Sequence, residues 1–288
     1  SRLEVTNLET TRASTSPTPV RVSGVASTAI HGLVTGTGGE ATVLGTSSHA
    51  FWLLAEDRVI VVSTSDAAKL PNSIQLGTSS KDAPFDQIEH GEVATVGHGR
   101  VMLPSLAIGV NRWWDPRPAL AVTTSEQLAA ALVGLPEDMP ELDAAPLRIA
   151  LRARSAGGIL HAARSLLGKG PGLTPEGDDY LAGALAATRL LAEALGMERS
   201  VSLIAGISMP LADLAEARTS AFSAALIEAA LRGQVAEPAG ALLRALTGRG
   251  DVVPAHLGLV RVGHTSGPAL AAGMVLGARS LISAEGVN

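Results

Sequence analysis

The feature that most constrains the fold is a change of sequence texture near Pro146. Before it, short runs rich in β-branched residues recur, as in ATVLGTSSHAFWLLAEDRVIVVSTS at 41–65. After it, alanine and leucine dominate with helical spacing. Strands and helices therefore occupy separate halves. We expect an α+β chain in which an antiparallel β-rich barrel or sandwich is followed by an Ala-rich helical bundle.

Two hairpins are predicted in the β-rich half. One turns at Glu56-Asp57, and the stretch GEVATVGHGRVMLP turns at Gly97-His98-Gly99. The segments LPNSIQLG and LAIGVN add shorter strands. In the second half, helical spacing with Gly or Pro breaks predicts helices near 147–167, 175–195, 200–216, 220–232, 237–247, 254–261 and 267–283.

The predicted domain organisation has three parts. Residues 1–20, rich in Ser, Thr and Pro, are expected to be disordered or loosely attached. A β-rich domain is expected at 21–145. A helical domain is expected at 146–288.

Composition argues against several classes of function. The net charge is −5 with no visible Lys/Arg-rich face, and aromatic residues make up 2%, so nucleic acid is not an expected partner. The absence of cysteine excludes disulfides, thiolate nucleophiles and Cys-zinc sites. We find no signal-peptide pattern and no uninterrupted apolar run of about 18 residues, so we expect a cytoplasmic protein that does not span a membrane.

The stretch GKGPGLTPEGDDYLAG, residues 168–183, is the candidate site. Thr174 is a good N-cap and Pro175 suits the first helical position, so a helix is predicted to start there. Gly170 and Gly172 would let a ligand approach backbone N–H groups at the positive end of that helix. Gly177 in the first turn costs about 1 kcal/mol relative to alanine, which suits close contact with a ligand or another backbone.

Two adjacent acids follow. About 100° of helical rotation separates the side chains of Asp178 and Asp179, so one can face a site while the other orients a neighbour or holds a metal, with Mg²⁺ as the candidate ion. With Glu176, they place three carboxylates at an end that attracts anions. These carboxylates weaken the binding of a phosphate and would suit an amide or amino group of a substrate better. The alternative is a solvated first turn.

A second copy of the pattern, GHTSGPALAAG, occupies 263–273, with Asp179 falling opposite Ala269. A further helix is predicted to start at RTSAFS, 218–223. One interpretation is chance similarity between Thr-capped, Ala-rich helices. The other is that their N-termini converge on one pocket for a small carboxylate or phosphate. His264 would then be a general acid or base, although a capping or core role is equally compatible. The remaining candidate ligand-binding residues are Thr219, Thr265, Ser266 and Gly267.

GPGLTPEGDDYLAG, RTSAFSAALIEAALRG and VGHTSGPALAAG together resemble a bacterial family typified by the AllH-type subunit of oxamate carbamoyltransferase in allantoin breakdown. The LPNSIQL and WWDP segments also fit. The resemblance implies an enzyme of three different subunits that handles oxalurate and phosphate, or oxamate and carbamoyl phosphate. Its partners would be a small anionic carbamoyl or ureido substrate, phosphate and two other subunits.

Two other functions stay open at this point. Asp178, Asp179 and His264 could serve a stand-alone hydrolase or lyase acting on a small amide or ureido acid. An Ala-rich helical surface with few charges also fits a non-catalytic binding or scaffold subunit.

Overall fold

The computed structural model describes residues 18–283. The predicted loose segment at 1–20 therefore lies almost entirely outside the described residues. The first half forms a closed eight-stranded barrel with strand order β1-β5-β4-β3-β2-β6-β7-β8. The strands are β1 Val20–Ser27, β2 Gly39–Thr46, β3 Ala50–Ala55, β4 Arg58–Ser63, β5 Ser73–Leu76, β6 Val93–Gly97, β7 Arg100–Met102 and β8 Leu106–Trp114.

Local sequence explains both predicted hairpins. β3 and β4 pair antiparallel around Glu56 and Asp57, which both adopt positive φ, as a tight right-twisted hairpin requires. His98 at φ 52° does the same between β6 and β7. The barrel is mixed rather than wholly antiparallel, because β1 pairs parallel with β8 and β4 pairs parallel with β5. The sequence pattern does not reveal these two pairings, because neither pair of strands is joined by a hairpin turn.

Residues 18–283 contain ten α-helices. They are α1 His31–Thr35, α2 Ser125–Ala131, α3 Ala145–Arg152, α4 Ala156–Leu166, α5 Glu176–Leu195, α6 Glu198–Arg218, α7 Ala221–Leu231, α8 Glu237–Leu246, α9 Val252–Val260 and α10 Ser266–Ser283. The α+β class, with a barrel followed by helices, is confirmed. The single helix predicted at 147–167 is wrong: Arg154 adopts φ 50° and Ser155 caps a new helix by accepting from the Gly158 amide.

Helices α5 and α10 form the centre of the helical half, and their contact is reciprocal. A Cβ on Gly183 would lie 2.2 Å from the Leu270 carbonyl oxygen, and a Cβ on Gly273 would lie 2.0 Å from the Tyr180 carbonyl oxygen. Gly183 in the first copy of the sequence pattern corresponds to Gly273 in the second, and Tyr180 corresponds to Leu270. The two contacts are therefore equivalent under the repeat. The repeated glycines therefore allow two helix backbones to touch, and the sequence echo is a structural repeat.

The barrel and the helices share a packed boundary. Trp52 of β3 packs on Phe222 of α7 with ring centroids 5.9 Å apart. The Lys69 ammonium lies 3.4 Å from the Glu237 carboxylate. Leu128 of α2 belongs to the helical core although it lies before residue 146. The division at 145/146 therefore stays a proposal, and packing adds α2 to the helical half.

One helix within residues 18–283, α6, is long and apolar enough by length and composition to cross a bilayer. Buried helices of soluble proteins meet the same criterion, so this is weak support for a span. Cytoplasmic localisation stays an expectation.

Candidate functional site

The loops that precede α5 and α10 lie side by side. The Thr174 and Ser266 hydroxyls are 2.7 Å apart and hydrogen-bonded. Beneath them lies a cavity of about 240 Å³, here called the inner cavity, which reaches the barrel boundary. Its lining residues are Leu70, Pro71, Thr174, Asp179, Ala182, Phe222, Leu226, Ala230, Gln234, Val235, Ala236, Leu259, Val262, Gly263, Ser266, Gly267 and Leu270. The two pattern copies thus contribute to one cavity, as the convergence hypothesis requires.

Asp179 is the acid that lines the inner cavity. Its side chain is 7% exposed, and its Oδ2 atom has no hydrogen-bond partner among the described residues. Burial raises the pKa of the Asp179 carboxyl to about 7; the Asp178 and Glu176 charges add to this, and the Ser266 and Thr174 hydroxyls oppose it. A carboxyl with such a pKa can accept or donate a proton near neutral pH.

Asp178 has a different environment. It is 1% exposed and does not line the inner cavity. Its Oδ1 accepts from the Gly168 amide at 2.8 Å, and its Oδ2 accepts from the hydroxyls of Thr219 and of Ser223, the latter at 2.6 Å. Three donors therefore hold this carboxylate between the glycine loop at 168–172 and the junction of α6 and α7. This arrangement favours a structural role for Asp178 and for Thr219.

The backbone amides predicted to hold an anion are largely engaged. The Gly177 amide donates to the Lys169 carbonyl at 2.9 Å, and the Asp178 amide donates to the Pro175 carbonyl at 2.9 Å. The Gly267 amide donates to the Val262 carbonyl at 2.9 Å. These three groups are therefore not free for a ligand. The N-cap assignment is also corrected, since α5 begins at Glu176 after Pro175 and Thr174 bonds Ser266 instead.

The glycines of the two loops divide into two groups. A Cβ on Gly177 would lie 2.0 Å from the Leu166 carbonyl oxygen, and one on Gly267 would lie 2.2 Å from the Leu259 carbonyl oxygen. These two glycines admit a neighbouring backbone, which was one of the two predicted reasons for Gly177. Gly170 and Gly172 are exposed and adopt φ 109° and φ 90°, a conformation that favours glycine. Neither of them lines the inner cavity.

His264 and Thr265 lie in the loop before α10. The His264 side chain is exposed, and Thr265 is half-buried with its carbonyl accepting from the Ala269 amide at 3.1 Å. Neither residue lines the inner cavity. The structure therefore brings Thr174, Asp179, Ser266 and Gly267 together and leaves His264 apart from them.

A second, outer cavity of about 560 Å³ adjoins the inner one, and Leu70, Phe222, Val262 and Gly263 line both. Its wall carries Arg261, and on the barrel side it carries His49, which lies 3.6 Å from Asp66. Ser63 also lines it; this residue is 2% exposed and its hydroxyl has no partner among the described residues. The outer cavity thus presents a guanidinium group beside the apolar inner one.

The contribution of the barrel to the site was missed from the sequence. Leu70 and Pro71 come from the loop before β5, inside the LPNSIQL segment, and Phe222 comes from the RTSAFS segment. No local sequence pattern shows that these two segments meet in the fold. For metals, no group of three or more His, Asp or Glu side chains between residues 18 and 283 could hold an ion. The candidate Mg²⁺ stays a prediction.

The fold and cavity define an α+β protein in which an eight-stranded barrel and a helical bundle enclose a candidate ligand site containing one buried carboxyl. The family model described as "Oxamate carbamoyltransferase subunit AllH" matches residues 166–278. This match confirms the predicted resemblance over that region, which runs from the end of α4 into α10 and includes both pattern copies. Comparisons with curated proteins and with solved structures gave no match.

Proposed function

We propose that this chain is a subunit of a carbamoyltransferase that acts on oxamate, or on a related amide or ureido compound, with carbamoyl phosphate. The family match over residues 166–278 carries this proposal. The proposed assembly contains two further subunits. The candidate ligands are the small amide acid and phosphate, and Asp179 is the residue that contacts the reacting nitrogen.

The repeat supports a functional reason for Asp179. In the second copy the same position holds Ala269, which is fully buried. A small apolar residue therefore satisfies helix packing at that position. An acid placed there, with an unpartnered oxygen in a largely apolar cavity, opposes folding when it is ionised, and the Ser266 and Thr174 hydroxyls offset this only in part. Residues that are unfavourable for folding and have a perturbed pKa concentrate at functional sites.

The proposed chemistry uses the unpartnered carboxylate as a base. The amide nitrogen of the acceptor attacks the carbamoyl carbon, the new C–N bond forms, and the C–O bond to phosphate breaks. Asp179 takes the proton that the nitrogen loses. The Arg261 guanidinium in the outer cavity can hold the phosphate or the carboxylate of the acceptor. Asp178 holds the glycine loop in place.

The test is reconstitution of the full complex from this chain and its two presumed partners, with carbamoyl phosphate and oxamate as substrates. We expect activity only when this chain is present, and a loss of about 100-fold or more in kcat for Asp179→Asn. The wild-type rate should rise with pH through about 7, where the base loses its proton, and the residual rate of the variant should lack that rise.

Asp213→Asn is the matched control, because Asp213 is exposed on α6 and lines neither the inner nor the outer cavity. This variant should retain full activity. Unchanged activity after omission of the chain would refute the proposal. Turnover of an amide or ureido acid by the isolated chain would favour the stand-alone hydrolase or lyase. Activity that survives Asp179→Asn would favour a scaffold role.

A further inference from the structure

The lining of the inner cavity differs from what a small polar anion requires. Apart from the two glycines, four of its lining residues are polar, namely Thr174, Asp179, Gln234 and Ser266. The others are apolar, among them Phe222 and Leu226 from α7, Leu259 from α9 and Leu270 from α10. Transfer of a charged carboxylate into such surroundings is unfavourable, whereas transfer of an apolar group is favourable.

The cavity is also larger than a compact amide acid needs. Apolar cavities of about 150 Å³ bind benzene, and oxamate is about as large as benzene. The inner cavity of about 240 Å³ therefore leaves space for about three further groups of methylene size. A ligand that fills it has an amide group and about six carbon atoms besides.

The polar end of that ligand is set by Asp179. This side chain is more than nine-tenths buried, and its free Oδ2 calls for a hydrogen-bond donor. A primary amide or ureido NH₂ provides one without adding a second negative charge. The Thr174 and Ser266 hydroxyls, bonded to each other at 2.7 Å, lie beside it and can complete the contacts of the amide group.

We propose that the inner cavity binds a primary amide or ureido group attached to an apolar group of about six carbon atoms. This inference rests on the proposed function for the identity of the amide as the carbamoyl acceptor. It names an acceptor that is longer and more apolar than oxamate, with its amide at Asp179 and its hydrocarbon part between α7 and α10.

The test is calorimetric titration of the full chain at pH 8 with unbranched primary amides from acetamide to heptanamide, and with oxamate. Each added methylene should raise the affinity about fourfold until the cavity is filled. Hexanamide should bind at least tenfold more tightly than oxamate. An affinity independent of chain length, tighter binding of oxamate, or no binding at millimolar concentration would overturn the proposal.

Three variants separate the two ends of the ligand. Asp179→Asn should weaken all amides by a similar factor and keep the dependence on chain length. Ala230→Leu should fill the cavity and abolish the gain for the longer amides only, because Ala230 lines the inner cavity. The matched control is Ala225→Leu on the same helix, which lines a separate cavity and should leave the series unchanged. If Ala230→Leu does not fold, Ala236→Leu tests the same wall.

The two proposals fail separately. Activity of the reconstituted complex with oxamate, together with no chain-length dependence, would keep the proposed function and overturn this inference. A steep chain-length dependence without carbamoyl transfer would keep the apolar cavity and overturn the function. If no amide binds, the inference is wrong whether or not a partner subunit raises the unfolding temperature of the chain, because a partner bound anywhere on the folded chain stabilises it.

Discussion

Replacement of Asp179 by asparagine should stabilise the fold at alkaline pH while it lowers the proposed activity about 100-fold or more. In the folded chain, burial raises the pKa of the Asp179 carboxyl from 3.8 to about 7. The folded state therefore binds a proton that the unfolded state has already released between these two values. The free energy of unfolding falls as pH rises from about 4 to about 7, and the full penalty is present above pH 7.

The magnitude follows from the two pKa values. A difference of about three pKa units corresponds to about 4 kcal/mol of unfavourable free energy for the ionised group. Asparagine has nearly the same shape as the neutral acid and carries no charge. Asp179→Asn should therefore raise the free energy of unfolding by up to about 4 kcal/mol at pH 8, and change it little at pH 4.

The assay is urea unfolding of both proteins at pH 4, 6 and 8, followed by helical circular dichroism. The adjacent Asp178→Asn is the control with the same chemical change. It should destabilise the chain by about 2 kcal/mol, because the charged acceptor of three hydrogen bonds is lost. If Asp179→Asn is no more stable than the wild type at pH 8, the buried charge is compensated and the reasoning about this site is refuted.

Two further predictions concern packing. Gly273→Ala should lower the free energy of unfolding by about 3 kcal/mol, because its Cβ would lie 2.0 Å from the Tyr180 carbonyl oxygen. The control Gly206→Ala on α6 has nothing within 4 Å of its Cβ and should raise the free energy of unfolding by up to about 1 kcal/mol. Equal effects of the two variants in urea unfolding would contradict the close helix contact. Trp52→Ala should lower the free energy of unfolding by about 3 kcal/mol and expose the boundary between barrel and helices to proteolysis, because Trp52 packs on Phe222. An unchanged cleavage pattern would show that this contact does not join the two halves.

Several features were determined by local sequence. Runs rich in β-branched residues and the Glu56-Asp57 turn predicted the β3–β4 hairpin, because that turn depends only on the conformations of two residues. Helical spacing predicted α5 at 175–195 and α10 at 267–283 to within a residue of their observed ends. The sequence did not predict the break between α3 and α4, because it arises from the left-handed backbone conformation of one residue, Arg154, within a continuous apolar pattern.

Tertiary structure alone decided the chemistry of the candidate site. Asp178 and Asp179 are neighbours with the same side chain, yet one is bonded by three donors and the other has a free oxygen in an apolar cavity. That difference depends on Thr219 and Ser223, which donate to Asp178 from 41 and 45 residues away in the chain. The sequence determined that a helix begins near these acids, because helical spacing is local. The cavity could not be predicted, since its walls come from the barrel and from both copies of the repeat, and only packing brings them together.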